Sequence, residues 1–150
     1  MRTWLFPVLT VVLLTSGCES ATASHGCTLV GCVSGLQVDF QTQAWPTGAY
    51  RVEVTDTTGL HACSTALPLS QDPTTCAGFQ LQTSGSALPT TQQSLAGVHL
   101  QTTPSPVTIE VLRDGKSLTK QTFQPVYTTA SPNGAGCEPT CTQAHLTMTW

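Results

Sequence analysis

Two cysteines, a histidine and a methionine form the densest group of metal-capable side chains in the sequence: Cys137-x-x-x-Cys141-x-x-x-His145-x-x-Met148. Thiolate and thioether sulfur are soft ligands and imidazole suits the same metals, so this group of side chains would suit copper. The same cysteines have a simpler use. The chain carries seven cysteines, and apart from Cys18 they make an even set: Cys27, Cys32, Cys63, Cys76, Cys137 and Cys141. In an exported chain an even set reads as three disulfides, which would leave no thiolate for a metal.

The copper spacing resembles the binuclear copper-A domain of cytochrome oxidase subunit II. That resemblance implies Cys137 and Cys141 bridging two coppers, His145 and Met148 as terminal ligands, His99 as the second imidazole, and an exported β-sandwich as the frame. The sequence departs from that family in having Pro139 midway between the cysteines, with the acidic Glu138 one place early. A strand over residues 144–150 would also send His145 and Met148 to opposite faces. The disulfide reading is therefore adopted, with no cofactor expected and copper as the alternative.

Other chemistry finds little footing. Thr83-Ser84-Gly85-Ser86-Ala87 lacks the flanking glycines of a Gly-x-Ser-x-Gly nucleophile turn. Asp56 and Asp72 sit among Thr and Pro and read as turn residues. His25 and His61 read as surface histidines, and a mixed Cys/His zinc site is disfavoured by an oxidising compartment. No catalytic residue is expected. An envelope enzyme of unknown class is the second alternative.

The front of the chain has one early cation, Arg2, and then an apolar stretch to Leu14 that is too short to span a bilayer. It reads as the core of an export signal. Its end, Leu14-Thr15-Ser16-Gly17-Cys18, resembles the lipobox of bacterial lipoproteins. The resemblance implies cleavage before Cys18 and acylation of its thiol, placing the protein in the bacterial cell envelope as a lipoprotein tethered to a membrane. The domains expected are a signal peptide over residues 1–17, the lipidated Cys18 with a tether to residue 26, and a single domain over 27–150.

After the signal, Arg51, Arg113, Lys116 and Lys120 stand against eight acidic residues, a balance of −4 with His neutral. With no basic cluster, nucleic acid is excluded as a partner and membrane attachment falls to acyl chains. A protein or glycan partner in the envelope is left open.

Period-two alternation predicts strands at Leu36, Val38, Phe40 and at Tyr50, Val52, Val54, separated by the turn chemistry of Trp45-Pro46-Thr47-Gly48. Asp56-Thr57-Thr58-Gly59 predicts a second turn, with strands at 60–64, around Phe79 and Leu81, and at 95–100. The clearest local signal is Val107-Thr108-Ile109-Glu110-Val111, then Arg113-Asp114-Gly115-Lys116, then apolar residues over 118–126, because Asp-Gly favours the tight turn of a two-residue hairpin. Ala144, Leu146, Met148 and Trp150 predict a last strand. No window carries a helical stripe.

These elements predict an all-β, antiparallel, disulfide-bonded β-sandwich. They resemble the immunoglobulin-like or transthyretin-like modules of exported bacterial proteins, which implies a scaffold rather than an activity. Cys63 with Cys76 is the preferred local disulfide. Spacing leaves the other four open, with a lean towards cross-links between the two termini. The function expected is a membrane-anchored envelope lipoprotein with a binding or structural module.

Overall fold

Alternating apolar side chains draw the chain into nine strands among the described residues, which are 26–70 and 76–150 of the computed structural model. The expected signal peptide over residues 1–17, Cys18, His25 and Asp72 lie outside the described residues. The strands are β1 (Gly35–Gln41), β2 (Gly48–Asp56), β3 (Gly59–Leu67), β4 (Gln80–Ser84), β5 (Ser94–Leu100), β6 (Val107–Arg113), β7 (Lys116–Phe123), β8 (Thr128–Ala130) and β9 (Cys141–Thr149), with one short 3-10 turn at Thr90–Gln92. Two sheets form, ordered β4-β5-β1-β9-β8 and β3-β2-β6-β7.

Each sheet turns its apolar positions to the other. Leu36, Val38, Leu95, Val98, Leu100 and Met148 from the first sheet meet Tyr50, Val52, Val54, Val107, Ile109 and Val111 from the second, all essentially excluded from solvent. Burial of this kind stabilises by roughly 1.5–3 kcal/mol per large side chain. One end of the sandwich closes over an aromatic cluster in which Trp45 packs edge-on against Tyr50 and Trp150, with ring centroids 5.4 Å apart in both cases.

The Asp-Gly hairpin forms as the sequence predicts. Arg113 pairs with Lys116, and both turn residues take positive φ, 51° at Asp114 and 77° at Gly115. The pairings are antiparallel with one exception: β1 and β9 run parallel, in register from Gly35 opposite Gln143 to Gln41 opposite Thr149.

Three disulfides fasten the sandwich: Cys27–Cys137, Cys32–Cys141 and Cys63–Cys76. The first two close loops with separations of 110 and 109 residues. In the chain-entropy picture such long closures each contribute about 4.7 kcal/mol, against about 3 kcal/mol for a short one. Between them Asn133, almost fully buried, donates to the carbonyls of Val30 (2.9 Å) and Glu138 (2.7 Å) and accepts from the Val30 amide (2.8 Å) and the Thr28 hydroxyl (2.6 Å). The entering segment is thus pinned at both cysteines and in the middle.

Candidate functional site

The copper set is not assembled. Cys137 and Cys141 are each oxidised, to Cys27 and Cys32, so neither offers a thiolate. His145 and Met148 lie three residues apart on β9: the imidazole points out, with 64% of its side chain exposed, while Met148 is sealed in the core. Alternation of the strand forbids the shared ligation that the linear spacing suggests. Among the described residues no group of three or more His, Cys, Asp or Glu side chains could hold a metal ion.

His99 and His145 nevertheless come together, on the outer face of the five-stranded sheet. Register places Gln80 beside His99, His99 beside Gln37 and Gln37 beside His145, a single row across four strands. The neighbouring row holds Gln82, Gly97, Asp39 and Thr147. Gly97 bears no side chain, and Gln82 exchanges hydrogen bonds with Gln37 across β5 at 2.7 and 3.1 Å. The Gln37 amide also donates to Asp39 (2.8 Å), whose other oxygen meets His145 Nε2 at 2.7 Å. The Gln37 hydrogen bond is the main reason that the Asp39 carboxyl is held below its ordinary range. Desolvation opposes the shift, and the hydrogen bond and charge of His145 add to it.

Above this network lies an open hollow of about 710 Å³, floored by Gln37, His99, Gln143 and His145 and flanked by the exposed side chains of Val33 and Val126. The Cys32–Cys141 bridge holds the segment carrying Val33 at its margin. His99 and Gln143 make no side-chain hydrogen bond among the described residues. Amides and imidazoles with spare donors and acceptors, beside two aliphatic walls, can grip a polar ligand with some apolar surface.

A second hollow, of about 330 Å³, contains Asp56, Thr58, His61 and Gly78. Thr58 Oγ1 lies 2.5 Å from Asp56 Oδ1 and 2.9 Å from His61 Nε2, while the imidazole and carboxylate stay 3.8 Å apart. In an acid–base relay the imidazole stands between hydroxyl and carboxylate; here the hydroxyl stands between the other two. The cluster closes the β2–β3 turn. Burial works to raise the Asp56 carboxyl but is outweighed by the Thr58 hydroxyl and amide, the charge of His61 and the Gly59 amide, which leave it lowered. The His61 ring packs so tightly on Gly78 that an added Cβ would come within 2.6 Å of Nδ1.

Sequence reasoning named His99 and His145 only as ligands in the copper alternative and overlooked Gln37, Asp39, Gln82 and Gln143. The signal was present in β1, whose outward positions Gln37, Asp39 and Gln41 alternate with core residues. What unites them with β4, β5 and β9 is strand order, which periodicity does not supply. No protein-family model, no curated protein and no solved structure matches the chain.

Proposed function

We propose that this chain is an exported, lipid-anchored cell-envelope protein whose β-sandwich is a binding module. The hollow on the five-stranded sheet would be its ligand site. The observation that carries the reading is the use of the cysteines. Six of seven are consumed in Cys27–Cys137, Cys32–Cys141 and Cys63–Cys76, and the seventh, Cys18, ends the stretch that reads in sequence as an export signal. Disulfides belong to oxidising compartments, and an acylated Cys18 needs no cysteine partner. The resemblance to immunoglobulin-like or transthyretin-like modules adds a scaffold suited to presenting a face. Among the described residues no helix is long and apolar enough to cross a membrane.

Replacing Cys18→Ser should remove the acyl mass from the processed protein and release it from the membrane fraction. A membrane fraction unchanged by the substitution would overturn the anchor.

A further inference from the structure

We infer that the end of the sandwich where the tether joins it docks onto the lipid bilayer, with Leu29, Val30, Val33 and Val126 as the residues that enter the interface; the inference rests on the lipid anchor proposed above. These side chains are 100%, 52%, 64% and 83% exposed, and they make up four of the seven large hydrophobic residues left exposed among the described residues. Val33 and Val126 flank the hollow assigned above as the ligand site, so docking turns that hollow towards the lipid headgroups, and Leu29 and Val30 belong to the same disulfide-held segment as Val33. Exposed large apolar side chains gathered on one disulfide-held segment and at the hollow it borders mark a contact surface.

Three further features point to lipid as the occupant. First, residues 26–38 and 121–137 contain no charged residue, so neither stretch brings a charge into the interface. The two acids that bound these stretches are each already engaged: Asp39 meets the Gln37 amide at 2.8 Å and His145 Nε2 at 2.7 Å, and Glu138 directs its carboxylate to the Thr140 amide at 2.9 Å. Second, Asn133 satisfies both the amide and the carbonyl of Val30, so pressing this segment against hydrocarbon leaves neither group without a partner. Third, Leu29 stands eleven positions after Cys18, a reach of at most about 36–40 Å. A patch too small to hold a membrane by itself becomes effective when an anchor makes the contact intramolecular.

The test uses membrane-extracted, acylated protein in phosphatidylcholine vesicles whose acyl chains carry bromine, with tryptophan fluorescence as the readout. In Val126→Trp, bromine should quench the added fluorescence roughly twofold more than in Leu118→Trp, on the opposite sheet, because interfacial residues sit ~5–10 Å into the headgroup boundary. Adding Leu29→Asp and Val33→Asp to Val126→Trp should abolish the difference while leaving the melting temperature unchanged. Equal quenching at the two positions in vesicle-bound, acylated protein would overturn the docking and leave the anchor standing. A concentration-dependent dimer that shields the position-126 tryptophan without lipid would also overturn it, assigning the patch to a second copy. Protein that carries no acyl group and does not float with vesicles would overturn anchor and docking together.

Discussion

The two outer faces of the sandwich use their polar residues in opposite ways. On the four-stranded sheet the side chains are charged and already matched: Arg51 Nε lies 2.6 Å from Glu53 and Lys120 Nζ 2.8 Å from Glu110. Lys120, with help from Ser117, holds the Glu110 carboxyl below its usual range, and Glu110 in turn raises the Lys120 ammonium. On the five-stranded sheet one carboxylate, Asp39, sits among amides and imidazoles that retain unused hydrogen-bonding capacity. A face whose charges are neutralised within it behaves as solvated surface. A face with unspent amide and imidazole valences beside a hollow leaves donors and acceptors open.

Removing the margin of the hollow should give the largest effect. Cys32→Ala with Cys141→Ala should lower unfolding stability by about 2–5 kcal/mol, read from a denaturant midpoint. A loss well under that range would mean that the segment is held by Asn133 and the Cys27 bridge alone. Next, Gly97→Ala would place a Cβ 2.3 Å from the Val38 carbonyl oxygen, a backbone atom that cannot swing aside. It should cost about 1–3 kcal/mol in a thermal melt, and a neutral result would mean that β5 shifts freely on β1.

The smallest effects separate the faces by pH. Because the folded Asp39 carboxyl lies below its unfolded value, its contribution is fully present above the ordinary carboxylate range and is lost as pH falls through the lowered value. Asp39→Asn should therefore flatten the acid limb of a stability–pH curve. Lys120→Met, on an exposed pair, should shift the neutral-pH midpoint little, and less still in high salt. A large salt-sensitive loss there would break the contrast.

Much of the fold was legible in the residues. The alternation in Leu36-Gln37-Val38-Asp39-Phe40 and the Asp114-Gly115 turn are local signals, and local geometry honours them. The short β8 was not legible, since Thr128–Ala130 is too brief for alternation to show. The site was legible only in fragments. Cys137 and Cys141 look like a pair in sequence, but their partners lie 110 and 109 residues away. His145 belongs with Gln37 through a parallel register, and with His99 through two strand pairings, neither of which a window along the chain can display.

The parallel contact of β1 with β9 also governs when the molecule becomes complete. The strand nearest the start of the described chain waits for the one nearest its end, because the Gly35–Gln143 register cannot form until nearly all the intervening residues are available. Pairing of such low locality is slow, since loop closure must precede the contacts that reward it. Three of the residues flooring the hollow, Gln37, Gln143 and His145, belong to that seam. A chain without β9 therefore lacks half the floor of the hollow.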